Sequence, residues 1–143
     1  MVGAAVYLWH CDRDGNYSLY SKGVTGENYL RGVQEADASG NVAFTSIYPA
    51  CYAGRWPHVH FEVYRSLADA TSSGNAITTS QMALPQDVSE AVYATDGYSA
   101  GVRNLARVSL DSDNVFRDGW EQELGTLTGS VDTGYTATLA VRV

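Results

Sequence analysis

The chain has 143 residues, which suits one domain with a buried core. Hydrophobic residues make up 45% and charged residues 17%, a composition that excludes an intrinsically disordered protein. Nine Lys and Arg against 16 Asp and Glu give a net charge of −7, which argues against nucleic-acid binding, and no apolar stretch reaches the roughly 20 residues of a membrane span.

Short segments of strand type follow one another along the chain and are separated by turn signals. Predicted strands cover residues 4–10, 29–34, 41–47, 58–64, 76–84, 119–131 and 135–143. Residues 48–57 and 67–75 are predicted loops, and Asp87 with Glu90 three residues later predicts a short helix that ends near Tyr93. The pattern predicts an all-β fold, an antiparallel β-sandwich with long active-site loops and at most one or two short helices, as a single domain over residues 1–143.

The two cysteines, Cys11 and Cys51, each lie in a segment of functional interest. In a secreted protein they would form a disulfide, which we predict, whereas in a cytoplasmic protein they would be two buried thiols. The sequence starts with a strand pattern and shows no secretory signal, so we expect a mature fragment from which a leader has been removed.

A His-x-His pair lies in the predicted strand at 58–64. Because side chains two apart in a strand face the same side, His58 and His60 present both imidazoles to one point, as a metal site requires. Tyr52 and Arg55 lie in the loop just before the pair. The pair alone is also compatible with one buried and one exposed histidine.

Tyrosine is the candidate anionic ligand, because no Cys or carboxylate adjoins the two histidines. A phenolate is a hard oxygen donor, so a pair of phenolates favours Fe(III). Tyr52 lies close to the two histidines in the sequence. On grounds of charge alone, any of the nine other tyrosines could supply the second phenolate. His10, the third histidine, is expected to be buried and hydrogen-bonded.

Three motifs, in this order, resemble the intradiol ring-cleavage dioxygenases. Residues 9–18 read WHCDRDGNYS, residues 30–32 read LRG and residues 54–61 read GRWPHVHF. The match runs from about residue 2 to residue 84 and is most similar to the secreted actinobacterial branch, whose members act on lignin-derived catechols.

The resemblance implies a non-haem Fe(III) enzyme that cleaves catechol-type rings with O2 between the two hydroxylated carbons, giving cis,cis-muconate-type products. By its motifs the metal ligands are Tyr17, Tyr52, His58 and His60. The same resemblance assigns catalytic roles to Arg55, Tyr52 and Gln81, with Tyr52 released as substrate binds. It implies no organic cofactor.

The chain also departs from the family. The N-terminal extension that forms part of the substrate mouth and the dimer contact is not in this sequence, so a homodimer stays an open expectation. Two alternatives remain. One is a divalent-metal hydrolase site built from His10, His58, His60 and a carboxylate. The other is a non-catalytic β-sandwich that binds a metal or ligand.

Overall fold

Two antiparallel sheets and two short helices form the structure, a computed structural model that describes residues 1–143. The larger sheet has the strand order β2-β1-β3-β4, and the smaller one pairs β5 with β6. The strands are β1 (Ala5–Trp9), β2 (Arg31–Glu35), β3 (His58–Tyr64), β4 (Thr78–Ala83), β5 (Thr126–Ser130) and β6 (Gly134–Thr138), and the helices are α1 (Gln86–Tyr93) and α2 (Ser99–Leu105). The predicted all-β class with at most two short helices is confirmed.

The predicted strand at 41–47 is wrong. These residues lie outside every strand and form no ladder with β2. Instead the segment packs through its side chains, because Val42 lies against the cluster around Phe61 and Val63, and the Phe44 ring lies beside Gly32. The C-terminal strands are also shorter than predicted, and residues 139–143 follow β6 without joining a sheet.

Strand alternation divides the larger sheet into two chemically different faces. Phe61 and Val63 of β3 lie on one face, in a small cluster with Ala4 and Ala36. The alternating positions His58 and His60 lie on the other face, which carries the larger core cluster of Cys51, Trp56, Ala83, Val92, Tyr93, Leu105 and Phe116. The histidine pair is therefore next to the larger of the two core clusters. No helix is long and apolar enough to span a membrane.

Substitution of Phe116 tests the larger core cluster most directly. It is fully buried and its ring lies edge-on to the His58 ring, with centroids 6.4 Å apart. Replacing it with Ala should lower the free energy of unfolding by about 3–5 kcal/mol, because a large cavity would form beside β3. Urea unfolding checks this, with Leu67→Ala as the control, since Leu67 is exposed. Equal losses in the two variants would contradict the assigned core.

Candidate metal centre

Four side chains from three parts of the chain meet on the histidine face of the larger sheet. β3 supplies His58 and His60, the loop before β3 supplies Tyr52, and the turn after β1 supplies Tyr17. The turn is shaped by Asp12, whose carboxylate Oδ1 accepts hydrogen bonds from the backbone N–H groups of Asp14 and Asn16 at 2.9 Å. A local turn therefore points Tyr17 back at the sheet.

The polar ends of these side chains converge tightly. Tyr17 Oη lies 3.1 Å from Tyr52 Oη, 3.1 Å from His58 Nε2 and 3.0 Å from His60 Nε2. Tyr52 Oη is 3.3 Å from His58 Nε2, and the two Nε2 atoms are 3.1 Å apart. Five of the six possible atom pairs are therefore in contact at one point.

The spacing of these four atoms can be compared with that of ligands around a single metal ion. His58 Nδ1 lies 2.5 Å from the Trp56 carbonyl oxygen and must donate to it, which leaves a lone pair on His58 Nε2. The Tyr17 hydroxyl, which can donate one hydrogen bond and accept two, faces three nitrogen or oxygen atoms. Donors bonded to one metal at about 2.0–2.1 Å lie about 3 Å from one another. The spacing fits a metal ion, and two phenols with two imidazoles form the hard, mixed donor set that suits Fe(III).

Burial sets the charge states of these groups. Burial, helped by the nearby positive charge of Arg55, lowers the pKa of His58 to about 3 and that of His60 to about 4. Both imidazoles are therefore neutral at pH 7, as ligands must be. Burial also raises the pKa of Tyr17 and of Tyr52, so both phenols keep their protons unless a cation replaces them.

The sheet fixes the orientation of His60 from both sides. In the strand register Trp9 of β1 and Gln81 of β4 lie directly opposite His60. The Trp9 ring stacks on the His60 ring with centroids 4.8 Å apart and planes inclined by 8°. Trp9 belongs to the first motif, residues 9–18, but the sequence does not reveal its contact with His60, because that contact depends on the pairing of β1 with β3.

Arg55 and Gln81, the two predicted catalytic residues without a ligand role, are joined to each other. Arg55 Nη2 donates to Gln81 Oε1 at 2.6 Å, and Arg55 Nε donates to Asp113 Oδ2 at 2.8 Å. Gln81 is therefore placed beside His60 by the strand and tied to Arg55 by its side chain. Asp113 was not identified from the sequence.

The Tyr52 loop is held by residues that sequence reasoning missed. Tyr93 and Tyr98 donate hydrogen bonds to the carbonyls of Pro49 and Tyr48, at 3.0 and 2.9 Å. Asn104 of α2 donates from Nδ2 to the Cys51 carbonyl at 2.9 Å. Three side chains of the helical segment thus fix the backbone that carries Tyr52, although no local sequence signal marks them.

Arg31, in the second motif, holds the backbone next to Tyr17. Its Nη2 and Nε donate to the Ser18 carbonyl at 2.7 and 3.2 Å, and Nε also donates to Ser18 Oγ at 3.0 Å. Its Nη1 donates to Tyr7 Oη at 3.0 Å. The motif therefore has a structural role in the Tyr17 turn.

The predicted Cys11–Cys51 disulfide is absent from the structure, in which both cysteines are buried free thiols. Each thiol is directed at a backbone carbonyl instead: Cys11 Sγ lies 3.6 Å from Ala50 O and Cys51 Sγ lies 3.4 Å from Arg55 O. Burial raises the pKa of each thiol to about 12, so both stay protonated at neutral pH.

The alternative site built on His10 is wrong. His10 is buried and hydrogen-bonded, as expected, with Nδ1 donating to the Cys11 carbonyl at 2.7 Å and Nε2 paired with Ser46 Oγ. Both ring nitrogens are therefore occupied away from the His58 and His60 pair. No three His, Cys, Asp or Glu side chains are grouped so that they could hold a metal.

No family model matches the chain. A curated protein, the chlorocatechol 1,2-dioxygenase of Rhodococcus opacus, is 36% identical over 52 residues, which are 36% of this chain and 20% of that protein. The chain thus matches only a fifth of the length of that relative.

Solved structures are similar over nearly the whole chain. An intradiol ring-cleavage dioxygenase from Tetranychus urticae has a TM-score of 0.78 at 24% identity, over 97% of this chain and 70% of that one. The dioxygenase domain of a carbohydrate-binding fusion protein from Streptomyces sp. SirexAA-E has a TM-score of 0.61 at 20% identity, over 97% of this chain and 66% of that one. The chain therefore has the fold of the intradiol ring-cleavage dioxygenases, the family that its three motifs resemble.

Proposed function

We propose that the protein is a ferric intradiol dioxygenase that cleaves catechol-type rings with O2. The observation that carries the proposal is the convergence of Tyr17 Oη, Tyr52 Oη, His58 Nε2 and His60 Nε2, five of whose six mutual distances are 3.0–3.3 Å. Similarity to dioxygenases of this fold also supports the proposal that the protein is a dioxygenase.

Tyr17, Tyr52, His58 and His60 would hold the iron. When bound, ferric iron supplies electron withdrawal from a catecholate, which makes the ring reactive toward O2. Two phenolates would reduce the charge of the ion from +3 to about +1, so the site would stay compatible with a low-polarity environment. Binding requires that both phenol protons leave, whereas the two imidazoles are already neutral.

Tyr52 is the residue that would accept a proton from the substrate. Its loop lies outside the sheet, and Tyr52 Oη touches only Tyr17 Oη and His58 Nε2, at 3.1 and 3.3 Å. Burial raises its pKa, while the hydrogen bond with Tyr17 and the charge of Arg55 act in the opposite direction. A Tyr52 phenolate freed by the incoming catechol would therefore take one catechol proton at Oη, which is general-base catalysis.

Arg55 would stabilise negative charge that develops on the ring. Its guanidinium is always protonated, is largely buried with 16% of the side chain exposed, and lowers the pKa of both His58 and His60 through its charge. A cation fixed in advance next to the reacting ring costs no reorganisation during the reaction. Gln81, bonded to Arg55, would donate its amide N–H to a substrate oxygen.

The competing function is a binding module of the same fold that takes up metal or catechol without turnover. A visible spectrum with iron quantification, before and after addition of catechol, tests the metal centre. We expect one iron per chain, a red to burgundy colour from the phenolate ligands, and a spectral shift with catechol. A colourless protein that binds zinc instead of iron would contradict the proposal.

Oxygen uptake separates the enzyme from the binding module. We expect the coloured protein to consume one O2 per catechol and to yield a cis,cis-muconate-type product. Coloured protein that takes up no O2 with catechol or hydroxylated benzoates would favour the binding module. Action on lignin-derived catechols, a secreted location and a homodimer stay predictions.

A further inference from the structure

Asp113 is a fully buried carboxylate in the segment after α2, far in sequence from the proposed metal ligands. It accepts four hydrogen bonds, two at each oxygen. Oδ1 accepts from the N–H groups of Val115 and Phe116 at 2.8 and 3.2 Å. Oδ2 accepts from Arg55 Nε at 2.8 Å and from the Trp56 N–H at 2.7 Å.

The two carboxylate oxygens of Asp113 therefore bind different parts of the chain. Oδ1 completes a local turn before Phe116 and would suffice for a structural role. Oδ2 is directed entirely at Arg55 and Trp56, the two residues that precede Pro57 and His58. The Trp56 carbonyl in turn accepts the hydrogen bond from His58 Nδ1. One oxygen atom thus orients the arginine and the backbone that sets the tautomer of His58.

The charge on Asp113 has one partner. The Arg55–Asp113 contact is the only ion pair in the structure, and the carboxylate is completely buried. Burial acts to raise the pKa of Asp113, but the hydrogen bonds from Arg55, Trp56 and Val115 outweigh it and hold the pKa below its ordinary value. Asp113 is therefore an anion that fixes the position of Arg55 near neutral pH, and a buried pair of this kind is sensitive to loss of either partner.

We propose that Asp113 is the positioning residue for Arg55, holding the guanidinium through Nε so that Nη2 meets Gln81 and the cation faces the substrate. The inference rests on the proposed function, because it assigns Asp113 a part in the same reaction. Asp113 touches no substrate atom in this scheme: it acts on turnover through Arg55, while its bond to the Trp56 N–H holds the backbone before His58.

Asp113→Asn is the decisive variant. An Asn side chain has one acceptor oxygen, so its amide N–H₂ would face either Arg55 Nε and the Trp56 N–H or the Val115 and Phe116 N–H groups, donor against donor. In either orientation the negative charge that holds the Arg55 guanidinium is lost. We expect kcat per bound iron to fall about tenfold or more with less than about a threefold change in KM. In an Arg55→Ala background the same substitution should change kcat less than about twofold, because there is no guanidinium left to position.

The background comparison separates positioning from a general structural role. An equal loss of kcat in both backgrounds, or a lower melting temperature with kcat per iron unchanged, would overturn the proposal. Asp111→Asn is the matched control, since Asp111 is exposed and its carboxylate only accepts from Trp120 Nε1 at 3.2 Å. We expect the control to keep the kcat of the unchanged protein.

A second measurement needs neither activity nor a folded variant. In the unchanged protein, ¹⁵N NMR should show an Arg55 Nε–H that exchanges with water more slowly than that of an exposed arginine such as Arg107. Rapid exchange would overturn the proposal even if the Asn variant fails to fold. A slowly exchanging Arg55 Nε–H in a protein that neither colours with iron nor consumes O2 would instead count against the proposed function alone.

Discussion

Replacing Tyr17 with Phe should remove the visible colour of the iron-loaded protein and most of its bound iron. The hydroxyl lost in this variant is the atom at the centre of the cluster, within 3.0–3.1 Å of the polar atoms of Tyr52, His58 and His60. Without it the site offers one phenolate and two neutral imidazoles, which leaves a ferric ion with about one more uncompensated positive charge. Iron content after gel filtration and the visible spectrum measure the effect.

Tyr20→Phe is the matched control for this change. Tyr20 lies three residues further along the same loop and is 81% exposed, so its hydroxyl should contribute nothing to the metal. His60→Ala should also empty the site, because it removes one of the two Nε2 donors. Retention of both colour and iron in the Tyr17 and His60 variants would show that the ligand assignment is incorrect.

The parts of the site that sequence alone could predict are those set by local geometry. His58 and His60 face one side because strand alternation requires it, and the structure places both Nε2 atoms 3.1 Å apart. Tyr17 could be selected only through the resemblance, since nothing in a turn of the Asp-Gly-Asn type distinguishes a ligand from an ordinary tyrosine. The structure brings all four predicted ligands together and joins the predicted Arg55 and Gln81.

What sequence could not supply depends on contacts between distant segments. Arg55 and Asp113 are 58 residues apart, and an acidic chain offers many carboxylates that could have been the partner. The hydrogen bonds that fix the Tyr52 loop likewise come from α1, α2 and the residues between them. The predicted strand at 41–47 is wrong for a related reason: Val42 and Phe44 are partly buried through side-chain packing, which does not require that the backbone pair with another strand.

Replacing Arg55 with Ala should leave the iron and the colour of the resting protein in place and lower kcat by about 10²–10³, the usual cost of removing one preorganised charge from a reacting centre. Arg55 bonds to Gln81 and Asp113 and to no proposed ligand, so metal uptake should not depend on it. Arg55→Lys should recover little, because one ammonium group cannot replace donors that meet two partners. Stopped-flow spectra and O2 uptake measure the effect, with Arg107→Ala, which alters an exposed arginine, as the control. If the Arg55→Ala protein binds catechol with the expected spectral shift but turns over at the unchanged rate, the cation has no part in the chemistry.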